Sequence, residues 1–316
     1  MSEAALLEAA AKADLEQAAG RAGVADAGLG SLTTIGCGGT AALMIEAVDA
    51  VHLSAILAAI QRHSLPWFVL GLGSNLLVAD AGWPGVVIKL TDDLKSVSIR
   101  GNRLRCGAGA ALSMTTAAAR SAGLTGLEPL AGIPGTVGGA VAMNAGAFGA
   151  SIGALVESLE ICLPGEAITQ NRDMLKFGYR SAALPPGGVV SRAVLLLTPA
   201  DPAAVAARMR EVRARRETSQ PAGRSCGSVF RNPGPDAGAG LSAGQLLDEA
   251  GCKGMTQGGA AVSSRHANFI VNAGGARTAD VLELMNRCRR RVFERTGIVL
   301  EPEVRLVGPI GLEPLS

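Results

Sequence analysis

Between Glu128 and Glu157 the chain carries no charged residue, yet Pro134 and seven glycines keep it from being one long apolar element. A membrane span is excluded, because lipid demands a backbone that satisfies its own hydrogen bonds. The stretch from Gly132 to Gly149 reads instead as a backbone cradle for phosphate. Gly132, Gly135, Gly138 and Gly139 are free to adopt positive φ and to admit a ligand to the main chain, so that amide N–H groups face an anion without any lysine. A buried turn packed with Gly and Ala is the alternative, and the stretch alone does not separate the two.

A chain of 316 residues is long enough for two or three subdomains around one cleft. Only 3% of it is aromatic and its net charge is +2, which disfavours stacking on single-stranded nucleic acid and any global attraction to nucleic acid or an anionic membrane. The first residues, Met1 to Glu8, carry acid where a signal peptide needs base. Cys37, Cys106, Cys162, Cys226, Cys252 and Cys288 form no Cys-x-x-Cys pair, which argues against structural zinc and a small disulfide framework. A cytoplasmic protein without a metal site is the expectation.

Residues 3–19 have helical spacing and predict an amphipathic helix outside the catalytic core. A helix from Val51 to His63 and a buried strand from Trp67 to Leu70 follow. That strand feeds Gly71-Leu72-Gly73-Ser74-Asn75, which places N–H groups at a strand's C-terminal end. Ser96 to Cys106 alternates around Gly101-Asn102, a hairpin signal. Further predictions are a helix at 112–122 closed by Gly123, strands at 155–163 and 189–197, and a helix capped by Asp201 that runs to Ser219. The arginines of that helix, Arg208 to Arg216, read mostly as a solvated face. Gln220-Pro221 marks a boundary. Beyond it come a helix at 242–250, a strand at 268–272, a helix at 278–296 and a strand at 298–307.

Three motifs are weighed and set aside. The third glycine of a Rossmann fingerprint falls on Leu76, and no Gly-x-x-x-x-Gly-Lys-Ser/Thr occurs. Gly223-Arg224-Ser225-Cys226-Gly227 fits the serine-hydrolase pattern, with Asp248 and His266 in hydrolase order, but Pro221 precedes it and β-favouring Val229-Phe230 follows, where a nucleophile elbow needs strand then helix.

Taken in order, Thr34 to Gly39, Gly71 to Asn75, Gly132 to Gly149, Tyr179-Arg180-Ser181, Gly227 to Pro233, His266 to Phe269 and Leu300 to Val304 resemble the UDP-N-acetylenolpyruvoylglucosamine reductase family. The resemblance runs from about residue 33 to 308. It implies an α+β fold: an FAD-binding part of the vanillyl-alcohol-oxidase (PCMH) type in two subdomains, with a third α+β domain over the UDP-sugar. On this reading residues 1–30 are a helical extension, 31–94 (completed by strand 298–308) and 95–219 hold FAD, and 220–297 bind substrate. No extra segment follows Tyr179-Arg180, as in the shorter class of the family. Cys37, Thr40, Ser219 and Arg231 depart from residues common there.

The implied activity is reduction of UDP-N-acetylglucosamine enolpyruvate with NADPH, by a monomer with non-covalent FAD that acid precipitation would release. The resemblance assigns Arg180 as the cationic clamp on the substrate carboxylate, Ser228 as proton donor and Glu303 beside them. Glu301 is the alternative in the same Glu-Pro-Glu, since strand alternation would put both on one face. Cofactor contacts fall to Gly38, Gly39, Gly71, Gly73, Ser74, Asn75, Gly132, Gly135, Thr136, Gly138, Gly139, Asn144 and Gly146. Substrate contacts fall to Tyr179, Asn232, Lys253, His266 and Asn268. The rival readings are a related flavin oxidoreductase with another substrate, the serine hydrolase set aside above, and a non-catalytic nucleotide-binding protein that kept the cradle.

Overall fold

Alternation in Thr40–Ala47 turns Ala41, Leu43, Ile45 and Ala47 inward, and this strand organises the first of the three larger sheets among the described residues. The computed structural model describes residues 8–234 and 240–315, so residues 3–7 of the predicted first helix lie outside it. Its helices are α1 (Ala9–Ala19), α2 (Ala50–Arg62), α3 (Leu112–Ser121), α4 (Val137–Ala142), α5 (Pro202–Ser219), α6 (Ala243–Glu249) and α7 (Thr278–Thr296).

The first sheet uses β1 (Val24–Gly28), β2 (Thr40–Ala47), β3 (Trp67–Val69) and β5 (Trp83–Leu90), while β4 (Leu76–Val78) lies between β3 and β5 in the chain. Its spatial order is β1-β2-β5-β3, with β2 and β3 both parallel to β5. Helix α2 begins where Asp49 accepts the His52 N–H at 2.8 Å, and it buries Leu53, Ile56, Leu57 and Ile60. Each such side chain contributes roughly 1.5–3 kcal/mol. Helix α1 docks on α2: Leu15 and Ala19 enter the same core, and Asp14 pairs with Arg62 and His63.

The second sheet holds β6 (Val97–Arg100), β7 (Arg103–Gly107), β8 (Val156–Leu163), β9 (Glu166–Asn171) and β10 (Val189–Leu196), antiparallel in the order β9-β8-β10-β7-β6. Leu104, Leu159, Ile161 and Leu195 join Leu43, Ile45 and Ile88 of the first sheet in one core. The third sheet, β11 (Arg224–Ser228), β12 (Thr256–Gln257), β13 (Ala260–Val262) and β14 (Phe269–Asn272), runs β11-β14-β13-β12. It shares a core with α6 and α7 that also takes in Ile35 and Leu77.

Three expectations change. Residues 8–30 are not a separate helical extension, since β1 pairs with β2 and α1 enters the shared core. The strand expected at 298–307 shrinks to β15 (Arg305–Val307), parallel to β4. Upstream of it the backbone serves another segment: the Glu301 carbonyl accepts the Arg231 N–H at 2.8 Å and Pro302 bridges Phe230. Strand alternation therefore does not govern Glu301 and Glu303; Glu301 is exposed and Glu303 half-buried. Within the glycine stretch, Val137–Ala142 forms a helical turn and a half rather than open loop. Thr136 caps it, accepting the Gly139 N–H at 3.3 Å.

Candidate active site

Two glycine loops meet where β3 and α4 approach one another. Ser74 Oγ donates to the Pro134 carbonyl at 2.8 Å, and a Cβ added to Gly71 would lie 2.7 Å from Thr136 Oγ1. Gly73, Gly132 and Gly135 have φ of +62°, +83° and +152°, conformations that glycine adopts freely. Among the described residues, none of the N–H groups of Gly71 to Asn75, Gly135 or Thr136 donates to the protein. Such a run of unpartnered amides is suited to an anion. The residues fit a dinucleotide's phosphates on these grounds.

Other expected cofactor contacts have different work. Gly38 and Gly39 pack against Val78 and Asp80, and the Gly39 N–H donates to Ala79 at 2.9 Å. Gly138 donates to the Ala108 carbonyl at 2.8 Å and Gly139 to its cap, so neither amide is free; both lie in α4 without positive φ. Asn144 donates to Gly178 at 2.8 Å and accepts from Gly153 at 3.0 Å. Gly146 accepts from Arg180 Nη1 at 3.1 Å. These last two residues therefore position the arginine.

Arg180 occupies a two-residue turn between the short strands Lys176–Gly178 and Ser181–Ala183, at φ +53°. A non-glycine residue there is strained. Its Nε donates to Glu303 Oε1 at 2.7 Å, and its guanidinium lies 5.4 Å from the Tyr179 ring centroid. Burial pushes the Glu303 carboxyl above the usual carboxylate range, while Arg180 and Arg231 pull it down. The Glu303 carbonyl accepts from Asn75 Nδ2 at 3.1 Å, and its N–H donates to Val229 at 2.9 Å. One residue thus ties the cradle, the arginine and the neighbour of Ser228 together. Ser228 ends β11 at an irregularity beside Gly227, whose φ is +78°.

Tyr179 and Asn232 adjoin this group, with Asn232 N–H 3.4 Å from the Tyr179 hydroxyl and Asn232 Oδ1 accepting from Ala243 at 3.0 Å. A cavity of about 400 Å³ opens beside them, lined also by Arg231, Gly297 and Glu301. Lys253 instead pairs with Asp248 at 2.6 Å, near His266, whose pKa is lowered by burial and then by Lys253. Asn268 is 3% exposed, and its amide both accepts from and donates to the Phe230 backbone. It holds the segment after Ser228.

Sequence reasoning missed Arg216. Expected on a solvated face, it lies against Gly132 with its guanidinium 5.6 Å from the Phe148 ring centroid, and its buried Nε has no partner among the described residues. Arg208 likewise turns inward to Glu128. The hydrolase reading falls: Ser225 lies within β11 and pairs with Val271 of β14, Asp248 is held by Lys253, and His266 Nδ1 accepts the Asn268 N–H. Among the described residues there is no His, Cys, Asp and Glu cluster fit for a metal, and no helix long and apolar enough to cross a membrane.

Comparison with known proteins adds an independent line. Residues 219–307 match the family described as UDP-N-acetylenolpyruvoylglucosamine reductase, C-terminal domain, and residues 41–170 match an FAD binding domain. The chain is 45% identical over 300 residues to the UDP-N-acetylenolpyruvoylglucosamine reductase of Acidiphilium cryptum, covering 94% of each chain. With that of Anaeromyxobacter dehalogenans it shares 45% over 292 residues, 92% of this chain and 87% of the other. The crystal structure of the Thermus caldophilus UDP-N-acetylenolpyruvylglucosamine reductase superposes with a TM-score of 0.77 at 40% identity, covering 89% of this chain and 97% of that one.

Proposed function

Since the chain belongs to the UDP-N-acetylenolpyruvoylglucosamine reductase family, we propose that Arg180, Glu303 and Ser228 perform its chemistry at the mouth of the glycine cradle. The reaction is flavin-dependent reduction of UDP-N-acetylenolpyruvoylglucosamine in peptidoglycan synthesis, on an FAD-binding fold of the vanillyl-alcohol-oxidase type. The family's reaction takes NADPH as co-substrate, and we propose the same for this chain. Residues 31–94 with 298–308, and 95–219, would hold the cofactor, and 220–297 would cover the UDP-sugar. A cytoplasmic monomer completes the proposal.

FAD, when bound and reduced by NADPH, would supply the hydride. The Gly71–Asn75 and Gly135–Thr136 amides would hold its phosphates, and non-covalent attachment fits a Cys37 that is buried, receives the Thr278 hydroxyl, and has its thiol pushed up by burial. Hydride addition to the terminal carbon of the enol ether drives charge onto the carboxylate. Arg180 supports that charge, and a guanidinium does so with two parallel donors. Glu303 holds Arg180 in place through Nε, leaving the far side of the guanidinium for substrate. Ser228 then gives its proton to the neighbouring carbon, since a carbanion-like dianion is basic enough to take it. Tyr179 and Asn232, which adjoin the group, are candidates for the UDP-sugar, as are Lys253, past the end of α6, and His266, whose ring lies against Gly244 of that helix.

The 2.7 Å contact between Arg180 and Glu303 beside Ser228 carries this reading. Stopped-flow mixing separates its halves. Ser228→Ala should bleach the flavin with NADPH at nearly the parent rate, while reoxidation by substrate slows about 10²- to 10⁴-fold, the range for losing a positioned proton donor. Arg180→Lys should slow the same half, because a point charge cannot reproduce the fork. Undiminished reoxidation in Ser228→Ala would assign the proton to another group.

A further inference from the structure

The glycine cradle was expected to work without a lysine, yet one lies beneath it. Lys89 stands near the end of β5, the strand alongside β3, and its Nζ donates to the Gly71 carbonyl at 3.2 Å. Burial lowers its pKa, and among the described residues no carboxylate lies within ion-pair distance. A partner is close at hand. Glu46 of β2 is the register neighbour of Lys89, on the same face of the sheet, but its carboxylate is taken by Arg21 Nη1 at 2.6 Å. The Glu46 charge still acts on Lys89 across the two strands, but its carboxylate is held by Arg21, just beyond α1, and makes no ion pair with the lysine.

We propose that Lys89 is the positioning residue of the phosphate cradle, pinning the Gly71–Leu72 peptide and leaving its charge for the cofactor's phosphates. In a planar trans peptide the carbonyl and the following N–H point in opposite directions. Holding the Gly71 carbonyl toward β5 turns the Leu72 N–H away from the sheet, at the head of the run of amides that donate to nothing in the described protein. Without Lys89 that peptide is free to rotate, since Gly71 lacks a side chain to resist it. The half-buried ammonium also adds a full charge to the partial charges of the amides, where solvent screens it less than at an exposed surface. This inference rests on the reading that FAD phosphates occupy the cradle.

The test is the Kd of FAD for flavin-stripped protein, followed by flavin fluorescence at two ionic strengths. Lys89→Met should weaken FAD about 10- to 100-fold, the range for losing a hydrogen bond to a charged group, and should flatten the salt dependence. Lys89→Arg should stay within about threefold of the parent, because the charge and a donor persist. Arg21→Ala, distant from the cradle, should weaken FAD by releasing Glu46 to Lys89, and Arg21→Ala/Glu46→Gln should restore it. That pair keeps the test decisive if Lys89→Met does not fold. Gly135→Ala serves as reference, since its Cβ would lie 3.5 Å from Ser74 Oγ, in the gap between the loops. Parent-like FAD binding by Lys89→Met with weak binding by Gly135→Ala overturns the role of Lys89 and leaves the cradle standing. Parent-like binding by both overturns the cradle itself. Weak binding by Arg21→Ala that Glu46→Gln fails to relieve also overturns the role of Lys89.

Discussion

Gly138 and Gly139 are adjacent, both helical and chemically identical, yet their surroundings demand opposite outcomes from the same methyl group. A Cβ at Gly138 would lie 2.8 Å from Ala108 Cβ, backed by the Ala108 carbonyl. One at Gly139 would meet only Thr136 Oγ1, at 3.4 Å, and this residue is exposed. Gly138→Ala should lower stability by about 1–3 kcal/mol through overpacking. Gly139→Ala should fold at least as stably as the parent, helped by up to about 1 kcal/mol of helix propensity. Thermal unfolding of the two proteins decides it, and equal losses would mean that α4 is not held against Ala108. Arg180 shows the same dependence on surroundings: its positive φ persists because Glu303, Gly146 and the Asn144–Gly178 bond fix both its side chain and its turn.

At the scale of elements, α5 is anchored to the turn before the cradle by one carboxylate. Glu128, 4% exposed, accepts from Thr125 Oγ1 and Gly126 N–H, both at 2.6 Å, and from Arg208 Nε at 3.0 Å. Burial alone would raise its pKa, but these bonds outweigh it and hold the carboxyl below its ordinary value. A depressed folded pKa means stability that is full above the unfolded value, near 4.3, and is lost as pH falls through the folded one. Glu128→Gln should therefore cost about 1–3 kcal/mol at pH 7, with the gap to the parent closing in acid. Melting curves from pH 7 to 3 measure this; a gap independent of pH would show that the carboxylate charge is irrelevant. The basic appearance of α5 hid this contact, because helical spacing places Arg208 on a face without saying what lies opposite.

Across the whole molecule, the third sheet and its helices are joined to the first by polar contacts from distant parts of the chain. Asp80 accepts the Thr278 and Ala279 N–H groups at 2.9 and 3.0 Å, so a residue after β4 caps α7. Thr34 Oγ1 donates to Ser225 at 2.6 Å, and Asn272 Nδ2 to Ile35 at 2.9 Å. These contacts place β11, and with it Ser228, against the cradle. Asp80→Ala should cost about 1–2 kcal/mol, as for a lost helix cap, and should raise protease cleavage within 220–297 more than within 95–219. Uniform cleavage would mean that Asp80 serves α7 alone and not the junction.

Helices α2, α3, α5, α6 and α7 and the Gly101-Asn102 hairpin were legible in the sequence because periodicity, caps and turn residues act within a few positions of one another. So was the chemical character of the glycine loops, since only glycine and small residues allow close approach of a backbone. What those loops do individually was not legible. Whether an amide is free for a ligand depends on whether an acceptor from elsewhere reaches it, as Ala108 reaches Gly138 and Ala79 reaches Gly39. Glu303 was separated from Glu301 and Arg216 from the solvated arginines by burial and by partners remote in the chain. Local sequence sets the conformations open to each segment; tertiary packing decides which donors, acceptors and charges remain unpaired to perform chemistry.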